Sequence, residues 1–124
     1  MNKTIGRFYF KLTDSNNLIG EFSNNNCTRN YTESAVPDLK KPDESNLENL
    51  DTCKFIGNYL SAWYEENDHK SILAELKIRK KTGCKNIFSL EWRVVHNGKS
   101  ETNLAFAGEG MICDGTLIGN YWGC

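Results

Sequence analysis

The sequence predicts an all-β protein, an antiparallel up-and-down meander of seven or eight strands that closes into a small barrel. Three observations support this. Several segments alternate apolar and polar side chains with a period of two, tight-turn dipeptides separate them, and one five-residue pattern occurs three times. The 124 residues fit one domain, residues 1–124, with one core.

The N-terminal part is predicted to contain two or three strands, of which the first two form a β-hairpin. Residues 6–12 alternate large apolar side chains with polar or amphipathic ones, which is typical of a half-buried strand. Residues 14–17 form an Asp- and Asn-rich turn, and the strand that follows completes the hairpin. A short third strand through residues 31–36 is weakly patterned.

A long polar connection separates this part from the rest of the chain. It spans residues 37–51 and is bracketed by Pro37 and Pro42. Within it, Ser45-Asn46-Leu47-Glu48 has the form of a helix capping box. We expect at most one short helix there, near residues 45–50.

The C-terminal part predicts a five-stranded antiparallel meander. Asn-Gly and Asp-Gly between apolar runs are strong hairpin signals, because both turn residues adopt positive φ at low cost. The strands are expected at about residues 53–65, 69–80, 86–96, 99–112 and 116–122. The turns between them are Glu66-Asn67-Asp68, Lys81-Thr82-Gly83, Asn97-Gly98 and Asp114-Gly115.

The turn at Asn97-Gly98 decides which residues of the next strand face inward. A strict two-residue turn places Glu109 on the inner face, whereas a three-residue loop with Gly98 in a bulge places Phe106 and Gly108 there. We favour the bulge because it buries the larger side chains and exposes the carboxylate. A two-residue turn at Asp114-Gly115 then puts Gly108 opposite Tyr121.

The repeated pattern consists of two large apolar residues, a glycine, one polar residue and an aromatic ring. It occurs as Leu18-Ile19-Gly20-Glu21-Phe22, Phe55-Ile56-Gly57-Asn58-Tyr59 and Leu117-Ile118-Gly119-Asn120-Tyr121. We interpret the pentads as strand segments in which an inward glycine leaves room for an aromatic ring.

These pentads, within a meander of tight hairpins, resemble those of the small calycin-type barrels, the avidin and lipocalin-like group. The resemblance covers the strands, but neither the Asn-rich segment of residues 23–30 nor the proline-bracketed connection. The first strand carries Gly6-Arg7-Phe8 where that group has Gly-x-Trp. The resemblance implies an up-and-down barrel with a ligand cavity, and leaves the ligand unidentified.

The candidate ligand site is a set of aromatic side chains predicted to face inward. Rings of this kind line apolar pockets, but they also fill small solid barrels, so both interpretations stay open. The rival register would place a polar cluster inside, which would be a binding site because buried polar groups need partners. The aromatic set is Tyr59, Trp63, Trp92, Phe106 and Tyr121, and the polar set is Asn58, Glu109 and Asn120.

Composition excludes several classes of function. The net charge of −1 predicts no general attraction to nucleic acid or to a membrane surface, and no apolar run is long enough to span a bilayer. With no secretory leader at the N-terminus, we expect a cytoplasmic protein whose cysteines are reduced and mostly buried. No pair of cysteines has Cys-x-x-Cys spacing, which argues against a zinc ribbon or a thioredoxin-like centre. Neither a metal nor a cofactor is expected. The cysteines are Cys27, Cys53, Cys84, Cys113 and Cys124.

The sequence thus favours non-enzymatic binding of a small, largely apolar ligand at an aromatic-lined barrel mouth. The alternative is a protein-interaction module with a filled core that acts through loops or a strand edge, on a protein partner or as a homodimer. An enzymatic role is left open but disfavoured, because no nucleophile, phosphate-binding or dinucleotide motif is present. A small hydrolase or isomerase would require a perturbed acid or thiol in a cleft.

Overall fold

The protein is a closed β-barrel, described by a computed structural model over residues 3–39 and 54–124. Within these ranges every regular element is a strand, and no helix occurs. The predicted helix near residues 45–50 lies outside the described residues. The strands are β1 (Ile5–Leu12), β2 (Leu18–Asn24), β3 (Tyr31–Pro37), β4 (Gly57–Glu65), β5 (Lys70–Lys80), β6 (Phe88–His96), β7 (Lys99–Ser100), β8 (Phe106–Cys113) and β9 (Thr116–Gly123).

Eight strands form the barrel wall in chain order, and every pairing is antiparallel. β1 pairs with β2 on one side and with β9 on the other, while the pairing of β5 with β6 completes the ring. The two-residue strand β7 pairs only with the end of β6 and lies outside the ring. The predicted all-β up-and-down barrel is confirmed, and each of its eight strands is paired on both sides, so none offers a free edge.

Alternation along each strand separates the interior from the outer surface. On β5, for example, Ala74, Leu76 and Ile78 are buried while their neighbours are partly or fully exposed. One half of the interior is filled by buried apolar side chains. The largest of these that are completely buried are Phe10, Leu18, Leu76, Ile78, Leu90 and Leu117.

The inward set predicted for β8 is correct, but the predicted cause is wrong. Asn97 and Gly98 have φ values of 52° and 79° and form a strict two-residue turn, with His96 paired to Lys99. Residues 101–105 then leave the ladder, and pairing resumes with Trp92 opposite Phe106. This excursion, rather than a bulge at Gly98, turns Gly108 and Gly110 inward. It also splits the predicted strand 99–112 in two.

The glycine and the aromatic residue of each pentad lie on the inner face, as expected. The role of the glycines differs from the predicted one. A Cβ on Gly20 would collide with the carbonyl oxygen of Tyr9, and one on Gly119 with that of Glu109. Both obstacles are backbone atoms of the neighbouring strand. Only at Gly57 is an aromatic ring the first neighbour, with the Tyr59 ring at 3.5 Å. Two of the three glycines therefore allow close approach of strands.

The structure confirms one of two smaller expectations and contradicts the other. The turn at Asp114-Gly115 is a strict two-residue turn that places Gly108 opposite Tyr121, as predicted. The expectation that the cysteines are mostly buried is wrong for the four within the described residues. These are free thiols, of which Cys27 and Cys84 are half-buried and Cys113 and Cys124 are exposed.

Candidate functional site

The other half of the barrel interior contains a cavity of about 120 Å³. It lies at the end where β4 finishes, near the β2–β3 loop and the β4–β5 turn, which contribute Asn26 and Asn67 to its lining. Tyr64, which is 40% exposed, stands at its mouth. The wall is built from six further aromatic side chains: Phe8, Phe22, Trp63, Trp92, Phe106 and Tyr121.

Four of the five predicted aromatic residues meet in this cavity. The ring centroid of Phe106 lies 6.1 Å from that of Trp63 and 5.7 Å from that of Tyr121, and the Trp92 and Tyr121 centroids are 6.1 Å apart. Phe106 meets both neighbours at steep angles, 70° and 81°. Rings at such angles wall a space on several sides.

The fifth predicted residue, Tyr59, is buried but lines a different part of the interior. It lies two residues into β4, towards the opposite end of the barrel from Trp63. Its hydroxyl donates a hydrogen bond to the Phe55 carbonyl oxygen, 2.8 Å away. Tyr59 therefore helps to close the filled end of the barrel.

The alternative polar residues do not meet inside the barrel. Glu109 and Asn120 are cross-strand neighbours on the outer face of β8 and β9, and Asn58 lies on the distant strand β4. Lys81 Nζ donates to a Glu109 carboxylate oxygen at 2.6 Å on that outer surface. The inward positions beside these residues are instead taken by Gly57, Gly108 and Tyr121.

The most informative residue of the cavity, Glu33, was missed by the sequence reasoning. It lies on β3 between Gly20 and Trp63 on the neighbouring strands and is only 6% exposed. Ser61 Oγ and Trp92 Nε1 both donate to its Oε2, at 2.5 Å and 2.8 Å. Burial raises the pKa of the carboxyl to about 7, against the lowering effect of these two hydrogen bonds.

The other oxygen of Glu33 is available to the cavity. Within residues 3–39 and 54–124, no hydrogen bond reaches Oε1. Every fully buried side-chain nitrogen or oxygen of these residues has a partner, so Oε1 keeps some accessible surface. Because Glu33 lines the cavity, that surface faces the enclosed space.

Two further carboxylates stand at the mouth. Glu65 accepts a hydrogen bond from Trp63 Nε1 at 3.2 Å. Glu66 accepts from the hydroxyls of Tyr31 and Thr28, at 2.5 Å and 2.8 Å, and these bonds lower its pKa. Of the residues that line the cavity, all within the described ranges, none is Lys, Arg or His. The walls of the cavity are therefore aromatic, and the ionisable side chains that give it charge are carboxylates.

The remaining polar groups of the cavity are neutral. Burial raises the pKa of the Tyr121 phenol well above its usual range, and its oxygen accepts from Asn24 Nδ2 at 2.7 Å. The Cys27 thiol also has a raised pKa, because it is partly desolvated. Both groups stay protonated near neutral pH, so Glu33 is the buried group that titrates there.

The sequence of β3 does not indicate that Glu33 faces inward, because polar residues occur on both faces of this strand. The one sequence signal for the arrangement is Ser61 on β4. It lies between Tyr59 and Trp63 on the inward face and is completely buried. A buried hydroxyl requires a polar partner, and that partner is Glu33.

In the part of the chain that the structure describes, no three His, Cys, Asp or Glu side chains are grouped so that they could hold a metal ion. Residues 3–39 and 54–124 also contain no helix of the length and apolarity needed to cross a membrane. Comparison of the chain with protein-family models, with curated proteins and with solved structures gave no significant match.

Proposed function

We propose that this protein is a calycin-like barrel that binds a small, largely apolar molecule in the cavity at the β4 end. One observation supports this most directly: the barrel core is unevenly filled. Buried apolar side chains fill one half, while in the other half Trp63, Phe106 and Tyr121 surround about 120 Å³ of space. An apolar wall with a few convergent polar groups is the usual composition of a small-molecule site.

The volume limits the size of the ligand. An engineered apolar cavity of about 150 Å³ is known to accept benzene. A cavity of about 120 Å³ with an open mouth is therefore suited to a single five- or six-membered ring, or to a short branched chain. Larger lipids would require the mouth loops to move.

Tryptophan fluorescence tests this proposal, because the three tryptophans are differently placed. Trp63 and Trp92 line the cavity, whereas Trp122 does not. Titration with benzene, toluene and cyclopentane derivatives should change the emission and raise the unfolding temperature, since a ligand that binds only the folded state stabilises it.

The variant Trp122→Phe is the matched control and should retain the ligand-dependent change. The variants Trp63→Phe and Trp92→Phe should each lose part of it. If no compound of this size series changes either the emission or the unfolding temperature, the proposal is wrong.

A second candidate function is proton transfer, favoured by the environment of Glu33. A carboxyl with a pKa of about 7 that faces an apolar cavity is suited to general acid–base chemistry at neutral pH. The ionised carboxylate would take a proton from carbon and return one from the exchangeable pool. Cyclopentanone in deuterated buffer at pH 7 should then gain deuterium beside its carbonyl faster with the wild type than with Glu33→Gln, as measured by NMR. Exchange no faster than in buffer alone would exclude this candidate.

A further inference from the structure

We infer that the ligand of the cavity is a protonated tertiary amine on a small apolar ring or chain, with its single N–H donated to Glu33 Oε1. This inference rests on the proposed binding function and specifies its ligand. It is drawn from three features: the charge of the lining residues, the number of acceptors at the base of the cavity, and the arrangement of the rings.

The charge of the lining favours a cation. Glu33, Glu65 and Glu66 all line the cavity, and no lining residue is basic. Arg29 interacts electrostatically with Glu66 from outside the lining, and the three carboxylates outnumber it. An anionic or carboxylate ligand would be repelled by this field, and a neutral ligand would leave it unused. An ammonium group is attracted to the mouth and then meets the carboxylate within.

The number of acceptors favours an amine with one N–H. Ser61 is completely buried and donates to Oε2, and the Trp92 indole can only donate. Oε1 of Glu33 is therefore the carboxylate oxygen that a ligand can reach at this depth. A primary ammonium brings three donors to this one oxygen, and an unmatched buried donor is costly. A tertiary ammonium carries one.

The rings favour the same class of ligand. Phe106 packs edge-on against both Trp63 and Tyr121, so ring surfaces surround the space on more than one side. Phe8 likewise meets Trp92 at 80°, with centroids 5.9 Å apart. Alkyl groups on a charged nitrogen pack well on such walls, and the positive charge gains cation–π attraction.

A set of three probes of similar size tests the inference by calorimetry at pH 8. N-methylpyrrolidine is a ring with one N–H when protonated, methylcyclopentane is its uncharged counterpart, and N,N-dimethylpyrrolidinium carries the charge without an N–H. We expect N-methylpyrrolidine to bind about 10- to 100-fold more tightly than methylcyclopentane, the range for a hydrogen bond to a charged group. The quaternary ion should fall between them.

Variants separate the contact from the cavity as a whole. Glu33→Gln keeps the shape and can still accept from Ser61 and Trp92, so it should remove the preference for the amine while methylcyclopentane binds as before. Glu91→Gln is the control, because Glu91 lies outside the cavity, 3.5 Å from Arg93. It should leave all three affinities unchanged.

The effect of pH gives an independent readout. Besides Glu33, the titratable groups that line the cavity are Glu65, Glu66, Cys27, Tyr64 and Tyr121, and Arg29 interacts with Glu66 from outside the lining. Cys27 and Tyr121 stay neutral near pH 7. The amine stays protonated from pH 6 to pH 8, whereas the buried carboxyl ionises across this range. Affinity for N-methylpyrrolidine should therefore rise by about tenfold between pH 6 and pH 8, and that for methylcyclopentane should not.

The outcomes distinguish this inference from the proposed function. Equal affinity for N-methylpyrrolidine and methylcyclopentane, or a preference that survives in Glu33→Gln, overturns the inference but leaves apolar binding intact. If N,N-dimethylpyrrolidinium binds as tightly as N-methylpyrrolidine, the inferred N–H contact to Glu33 Oε1 is wrong. If none of the three probes binds, both the inference and the proposed function fail.

Discussion

Glu33 places an ionisable group inside an apolar barrel, where its charged form is poorly solvated. Two hydrogen bonds to Oε2 offset part of the cost, yet the pKa remains near 7 because burial outweighs them. At neutral pH the folded protein therefore contains a mixture of the acid and the carboxylate at this position. Such a residue lowers stability, and a role in binding or proton transfer would explain its presence.

The stability cost can be measured with Glu33→Gln. The ordinary pKa of this carboxyl is 4.5, so between pH 4.5 and pH 7 the folded protein keeps a proton that the unfolded chain releases. The free energy of unfolding of the wild type should therefore fall as pH rises through this window, by about 3 kcal/mol in total, and then level off. The amide does not titrate. Glu33→Gln should thus equal the wild type near pH 4.5 and exceed it by about 3 kcal/mol at pH 8.

Urea unfolding at pH 4.5, 6 and 8 provides the comparison. Glu91→Gln, which alters a carboxylate outside the cavity, is the matched control and should follow the pH dependence of the wild type. A Glu33→Gln protein that loses stability with rising pH as steeply as the wild type would show that Glu33 is ionised in the folded protein throughout.

At the scale of the strands, the sequence predicts well those elements whose pattern is local. On β5 and β6 the alternation of apolar and charged side chains indicates the inner face without any knowledge of the neighbours. β3 has no such pattern, because its inward positions carry Tyr31, Glu33 and Ala35. Its face is decided by pairing with β2 and β4, which is a tertiary property. Glu33, the key residue of the cavity, therefore lies on the strand whose inner face the sequence indicates least clearly.

The connection from β6 to β8 illustrates a different limit. Turn chemistry at Asn97-Gly98 allows a two-residue turn, and this forms. The register of β8 is set beyond it, where residues 101–105 leave the ladder so that Phe106 lies opposite Trp92 and Gly123. No dipeptide signal marks that excursion. Burial of the larger side chains predicted the correct face even though the turn was misassigned.

The pentads show how a correct pattern can carry a wrong explanation. Glycine on an inner face was expected to make room for rings. At Gly20 and Gly119 the neighbour is instead a backbone carbonyl of the adjacent strand. Close approach of this kind is invisible in one strand's sequence because it depends on how sharply the sheet coils across its neighbours.

At the scale of the whole molecule, the interior has two halves with different contents. Just before β4, Phe55 and Ile56 are 4% and 3% exposed, and the Tyr59 hydroxyl donates a hydrogen bond to the Phe55 carbonyl oxygen. At the end of the same strand, Trp63 and Glu65 face the cavity. The filled half is expected to supply most of the packing energy, and the hollow half to supply the site.

This division predicts that stability and binding can be changed separately. Phe55→Leu removes buried atoms from the filled half and should lower the free energy of unfolding by about 1–2 kcal/mol, with the dissociation constant for toluene unchanged. Phe106→Leu alters the cavity wall beside Trp63 and Tyr121. It should change that dissociation constant by about tenfold, the usual effect of altered fit in an apolar pocket, and cost less stability because Phe106 is only half-buried.

Urea unfolding and calorimetry on the same protein samples give both quantities. Because each variant is the other's control, the result depends on the contrast between them. If Phe55→Leu weakens toluene binding as much as Phe106→Leu does, the two halves are mechanically coupled, and the cavity is a property of the whole barrel rather than of one end.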